Sequence, residues 1–228
     1  MKSLYTIILS GGTDPVYEEL YRVNKSTWGV GPNIMYYVGF GTKKPDNIHD
    51  NYFHDRSQTL YIICKDDAFT VKTLYAMEFS LTKNWDYLWR VCSGSYNLLD
   101  KAQEWLQVCP TNSFYSGFVG QYNDIPFASG SGIFMSRDLV EKVVKAKDEI
   151  LAYPEALYDD VAIGKYMKSI NIGIVPLKRS DEKPIEGCFH YHPRTNIPLH
   201  LDLHRYFNPV PIKTLQPECS MTVDGWVS

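Results

Sequence analysis

The sequence predicts an α/β layered domain with a mostly parallel central sheet flanked by helices. Short β-rich runs alternate along it with segments of helical period, which favours layers of strand and helix over a bundle or a sandwich. The first of these runs, Leu4 to Leu9, stops at Ser10-Gly11-Gly12 and leads into a helix start. With 228 residues, 44% of them hydrophobic, there is enough apolar material for one full-sized core. One domain is expected, with an irregular tail from about residue 177.

In order, Leu4 to Leu9 reads as a buried strand, and Asp14-Pro15 as an N-cap with proline at the first helical position, so Pro15 to about Lys25 is expected to be helical. Asn33 to Phe40 and Thr59 to Cys64 read as strands on either side of a polar loop, Lys43 to Arg56. Phe69 to Ser80 has a helical pattern and Asp86 to Cys92 is a fourth strand. An exposed helix over Leu98 to Val108, a short strand at Gly132 to Ser136 and helices over Arg137 to Ile150 and Asp160 to Ser169 follow. Ile172 to Val175 closes the sheet, and the proline-rich remainder from Leu177 is expected to wrap the domain without regular structure.

A formal net charge of −3 with scattered Lys and Arg provides no basic stripe for phosphate backbones, so nucleic acid is not an expected partner. No apolar run approaches the ~20 residues that cross a bilayer, and Leu4 to Leu9 is too short for a signal-peptide core. The expectation is a soluble, cytoplasmic protein without a transmembrane segment. Cys64, Cys92, Cys109, Cys188 and Cys219 lack pairs at metal spacing, and their odd number fits free thiols in a reducing compartment.

Ligands of open α/β sheets lie beyond the carboxyl ends of the strands. The residues to inspect are therefore Ser10-Gly11-Gly12, Gly39 to Thr42, Lys65-Asp66-Asp67 and Ser93-Gly94-Ser95. Two further segments stand out: the small-residue run Ser129 to Ser136, and Tyr158-Asp159-Asp160-Val161-Ala162-Ile163-Gly164, where adjacent carboxylates head a helix.

The order of these motifs resembles the inverting GT-A glycosyltransferases of family 31, the Fringe and β-1,3-galactosyltransferase-like enzymes, over roughly Leu4 to Arg194. Arg22 to Trp28 is similar to that family's early Arg-rich segment ending in Thr-Trp, and Phe69-Thr70-Val71-Lys72-Thr73 to its Asn-Leu-Thr-x-Lys-Thr helix start. Phe127 to Ser136 resembles its Gly-rich strand, and Tyr158 to Gly164 its Glu/Asp-Asp-Val-x-x-Gly element. The resemblance implies a GT-A fold and a nucleotide-diphosphate sugar donor, with uridine diphosphate the expected leaving group and a glycan or other hydroxyl as acceptor. It makes Asp160 the catalytic base, with Asp159 beside it. Ser10, Gly11, Gly12, Lys72, Arg90, Ser93, Gly94, Ser95, Gly130, His190, His192 and Arg194 are then expected at the donor, and Trp28 and Ser131 at the acceptor.

An inverting transfer needs such a base, because the acceptor hydroxyl must lose its proton as it attacks the anomeric carbon opposite the leaving group. The sequence departs from the family at one place. Ser93-Gly94-Ser95 stands where an Asp-x-Asp would hold a divalent metal, and hydroxyls bind Mg²⁺ or Mn²⁺ poorly, which argues for weak or no metal dependence. If a metal binds, His190 and His192 are candidate ligands, and Asn97 to Asp100 lies nearby. Without one, cations must meet the charge developing on the diphosphate, and Arg90, Lys72, His190, His192 and Arg194 are the candidates. His200 and His204, spaced i,i+4 without a Glu partner, read as a solvated helix face. The alternative function is a carbohydrate- or nucleotide-binding protein that keeps the fold without catalysis.

Overall fold

A computed structural model of the chain describes residues 1–11, 15–39 and 51–209. The elements run β1 (Leu4–Leu9), α1 (Pro15–Ser26), β2 (Ile34–Gly39), β3 (Tyr52–His54), β4 (Thr59–Ile62), α2 (Phe69–Ser80), β5 (Tyr87–Cys92), β6 (Tyr96–Asn97), α3 (Leu99–Leu106), β7 (Tyr115–Tyr122), β8 (Ile125–Ser136), α4 (Arg137–Lys145), α5 (Lys147–Leu151), α6 (Asp159–Ser169), β9 (Val175–Pro176), β10 (His190–Tyr191) and α7 (Ile197–Phe207). The main sheet has the order β3-β4-β2-β1-β5-β8-β7-β9, and β10 pairs with β6 in a separate two-stranded ribbon.

The centre of the sheet is parallel, with β4, β2, β1 and β5 side by side. Antiparallel pairs join β3 to β4, β5 to β8 and β7 to β8. Period-two alternation divides the strands between two cores. Tyr5 and Ile7 of β1, Met35 and Tyr37 of β2, and Leu88 of β5 face one side, under Leu74 of α2, Leu139 of α4, Ile150 of α5 and Ile163 of α6. Leu4, Ile8, Ile34, Tyr36 and Trp89 face the other, under Tyr21 of α1, Ala102 of α3 and Leu203 of α7. The domain is thus a three-layer α/β/α stack, as the alternation of patterns predicts.

The sequence reading and the structure differ where tertiary pairing overrides local pattern. β8 begins at Ile125, not Gly132, and forms a hairpin with β7, a strand that its glycines and polar residues conceal. The pairs Gly117↔Ile133 and Val119↔Ala128 leave one β7 residue opposite four of β8, so Ser129 to Gly132 bulge from the β7 ladder, while Gly132 keeps its pair with Val91 of β5. The helix expected from Arg137 to Ile150 divides at Ala146 into α4 and α5. Part of the loop expected at Lys43 to Arg56 forms β3 on the sheet edge. The segment after Leu177 is not wholly irregular, because it contains β10 and α7, the latter capped by the Asn196 side chain accepting from Leu199 N.

Candidate functional site

A cavity of about 490 Å³ opens at the carboxyl ends of the parallel strands. Leu9, Ser10 and Gly11 line it after β1, Asp66 and Asp67 after β4, and Cys92, Ser93 and Gly94 after β5. Tyr17, Leu20, Phe69, Lys72, His192, Arg194 and Thr195 complete the wall. Seven of the residues expected at the donor therefore meet here: Ser10, Gly11, Lys72, Ser93, Gly94, His192 and Arg194. Gly12 lies outside the described residues.

Close backbone approach explains two of the glycines. A Cβ on Gly11 would fall 2.3 Å from the Tyr17 ring, and one on Gly94 would fall 3.1 Å from the backbone of Arg194. Arg194 itself adopts a left-handed φ of 59°. Its N–H donates to the Gly94 carbonyl at 2.9 Å, and its carbonyl is 3.1 Å from His200 Nε2. His200 is fully buried, so the expectation of a solvated helix face fails for it: the imidazole turns inward to hold the strained turn.

The Ser93-Gly94-Ser95 turn is fixed from below. Asn24 Nδ2 donates to the Ser93 carbonyl at 2.8 Å, and Trp28 Nε1 donates to Asn24 Oδ1 at 3.1 Å. Trp28, expected at the acceptor, is buried in the core on this side and borders a different cavity of about 350 Å³. Two of the turn's N–H groups are used internally, Ser93 to Leu9 and Ser95 to Cys92. Lys72 is buried on the wall and donates to the Asp66 carbonyl and, at 3.2 Å, to its carboxylate.

The paired carboxylates sit at the start of α6, against the β8 bulge. Asp159 is buried, 2.5 Å from Arg90 Nη2, and accepts from Thr73 Oγ1 at 2.6 Å. Arg90 also donates to Tyr37 Oη at 3.1 Å and to the Gly130 carbonyl. Arg90, expected to face a diphosphate, is instead enclosed in the sheet and neutralised by Asp159. The same peptide segment holds the second acid, since Gly130 N donates to Asp160 Oδ2 at 2.8 Å and Val161 N to Oδ1 at 2.9 Å. Burial raises the Asp160 pKa above the ordinary carboxylate value, and the neighbouring Asp159 charge adds to it, against the two backbone N–H bonds and Arg90. Gly130 sits tightly between the two, because a Cβ would lie 3.0 Å from Arg90 Nη1 and 3.1 Å from Asp160 Oδ2 and would press both side chains out of place.

A polar chain connects this bulge to the cavity. Ser95 Oγ donates to the Ser131 carbonyl at 2.8 Å and lies 3.3 Å from His192 Nδ1. His190 is fully buried, with Nδ1 2.7 Å from Asn97 Oδ1 and Nε2 3.1 Å from Ser131 Oγ. Burial holds its pKa down at about 3, with His192 and Arg179 adding to the effect, so it is neutral and uses both nitrogens inside the protein. Cys92 lies 3.8 Å from His192 Nδ1. Burial opposes ionisation of this thiol, but the His192 hydrogen bond and charge, with Ser95 and Arg90, bring its pKa down to about 7.

The described residues do not form a ligand set for a divalent cation. No three His, Cys, Asp or Glu side chains among the described residues converge into a ligand set. His190 has no lone pair left to offer, Asp66 is paired with Lys72, and the turn in the Asp-x-Asp place presents hydroxyls. Asn97 is committed to His190, and Asp100 lies in the first turn of α3.

Sequence reasoning missed Asn24, Tyr37, Cys92 and Arg179. Asn24, near the end of α1, and Trp28, in the turn that follows it, are four residues apart and carry a signal for the first. The others depend on which strands become neighbours.

The architecture and the cavity beyond the parallel strand tips define a class: the chain has a GT-A-like fold, the fold expected from the sequence. Among solved structures it is similar to the crystal structure of a glycosyltransferase involved in the glycosylation of the major capsid of PBCV-1, with a TM-score of 0.51 and 13% identity over 88% of this chain and 99% of that chain. The apo-form glycosyltransferase GlyE in Streptococcus pneumoniae TIGR4 gives a TM-score of 0.45 and 11% identity over 84% of this chain and 54% of that one. No protein-family model matches the chain, and no curated protein matches it. Among the described residues no helix is long and apolar enough to cross a membrane.

Proposed function

We propose that the chain is an inverting glycosyltransferase that moves a sugar from a nucleotide-diphosphate sugar, with uridine diphosphate as the expected leaving group, to a hydroxyl acceptor. The observation that carries this reading is Asp160, a carboxylate of raised pKa at the start of α6, held by Gly130 against a β8 bulge that hydrogen bonds link to the cavity at the strand tips. The acceptor oxygen attacks the anomeric carbon, its proton passes to Asp160, and the bond to the diphosphate breaks with its electron pair leaving on the phosphate oxygen. Gly130 and Val161 fix the carboxylate through one N–H each and leave a lone pair on each oxygen for the acceptor. Arg194 brings positive charge to the cavity wall, where Lys72 is already paired with Asp66, and the Ser93 hydroxyl supplies a hydrogen bond to the departing diphosphate.

A panel of nucleotide sugars, assayed with an acceptor mixture in the presence and absence of EDTA, tests the reading. Transfer that survives EDTA is the expected result. Binding of nucleotide without turnover of any donor would reject the enzyme in favour of a binding protein on the same fold.

A further inference from the structure

Beside the Asp160 bulge lies a second set of side chains that the transfer step does not use. Arg179, just after β9, donates from Nε to Asp181 Oδ1 at 2.7 Å and from Nη2 to Oδ2 at 3.0 Å. Its remaining nitrogen, Nη1, is 3.2 Å from both Ser129 Oγ and Ser131 Oγ, the residues that flank Gly130. The guanidinium lies 4.0 Å from the centre of the Phe118 ring. Phe118 is the single β7 residue opposite the bulge, and it is 39% exposed. The Asp181 side chain is 38% exposed, while that of Arg179 is only 12% exposed.

The chemistry of this patch selects its ligand. The fork-to-fork pairing cancels the charge of Arg179, so the patch does not recruit an anion as an unpaired arginine would. Asp181 keeps lone pairs beyond those given to Arg179, and they accept from hydroxyls. Phe118 offers an aromatic surface to a flat apolar face. Acceptor atoms set beside an exposed ring, without net charge, match a pyranose ring, which carries hydroxyls on its rim and C–H groups on its faces.

The geometry points to a pyranose-binding subsite formed by Phe118, Arg179 and Asp181 next to Asp160. It rests on the transfer reading for its role and serves the sugar of either the donor or the acceptor. Isothermal titration with UDP, UDP-glucose, UDP-galactose, methyl β-D-glucopyranoside and methyl β-D-galactopyranoside, on the wild type and on Phe118→Ala, Phe118→Tyr and Asp181→Asn, tests it. The expected result is that at least one sugar-bearing ligand binds about tenfold more weakly to Phe118→Ala and Asp181→Asn, the loss of roughly one charged hydrogen bond or stacking contact. UDP should keep its affinity, and Phe118→Tyr should behave as the wild type. A loss confined to the UDP-sugars assigns the subsite to the donor, and one confined to the glycosides assigns it to the acceptor. Unchanged affinities in both variants, an equal loss for UDP, or no sugar-bearing ligand bound by the wild type would overturn the subsite. A wild type that binds the glycosides but not UDP would overturn the transfer reading and leave the subsite to be judged on the glycosides.

Discussion

Arg90 and Asp159 form a buried ion pair, with 2.5 Å between Nη2 and Oδ2, that ties β5 to the first residue of α6. Removing one partner of such a pair is costlier than removing both, because the survivor keeps its charge without solvent. Asp159→Asn should therefore lose about 3 to 5 kcal/mol of stability in urea melts. The double variant Arg90→Met with Asp159→Leu should lose much less than the single one. A single-variant loss below about 1 kcal/mol, the range of an exposed pair, would show that Arg90 remains hydrated and free for another partner.

Asp160 should behave in the opposite way. Its folded pKa lies above the unfolded value, so between those two values the folded state holds more protons and stability falls as pH rises. At neutral pH the ionised carboxylate is a cost, and Asp160→Asn, whose amide oxygen still accepts from Gly130, should melt no lower than the wild type. The same variant should bind UDP and lose transfer. The acid limb of the wild-type rate should lie above the ordinary carboxylate range, because the base acts only when deprotonated. Full transfer activity in Asp160→Asn would remove it from the base role.

The layers were legible because β1, β2 and β5 are short, nearly continuous apolar runs, as strands buried on both faces of a sheet are, and α2 begins and ends where its pattern does, at Phe69 and Ser80. The cavity was legible too, since residues after a parallel strand converge whatever the side chains between them. Arg90 was not: a lone arginine near the end of a strand reads as a cation for the diphosphate until Tyr37, Thr73 and Asp159 are known to surround it. The β7–β8 hairpin hid behind glycines that a strand pattern disfavours and that the bulge and the packing of α6 require.

Gly164 shows that requirement at its sharpest. A Cβ there would lie 2.5 Å from Phe127 Cβ and 2.8 Å from the Pro126 carbonyl, so α6 rests on β8 with no room between the backbones. Gly164→Ala should push α6 off the strand and cost about 1 to 3 kcal/mol, despite the better helix propensity of alanine. It should also lower transfer without moving UDP affinity, because Asp160 rides on the displaced helix and the cavity wall does not. An unchanged melting temperature would show that α6 does not rest on the β8 backbone at Gly164.

The buried histidines set the acid limit of the fold. Burial holds His190 at about 3 and His200 at about 4, against an ordinary value of 6.5. Below 6.5 the unfolded chain takes up protons that the folded one refuses, so stability is full above that pH and falls as the solution is acidified through the window. Protonating His190 would place a charge between Asn97 and Ser131, and protonating His200 would do so beneath the Arg194 turn on the cavity wall. Melting temperatures taken from about pH 7 to about pH 4.5 should fall for the wild type and fall less for a His190→Gln, His200→Gln double variant, even though that variant starts lower from lost packing. The Arg194 turn should hold over the same range and loosen only as the pH approaches about 4, where His200 takes up its proton in the folded chain. Parallel curves for the two proteins would mean that both imidazoles reach water and titrate as they do in the unfolded chain.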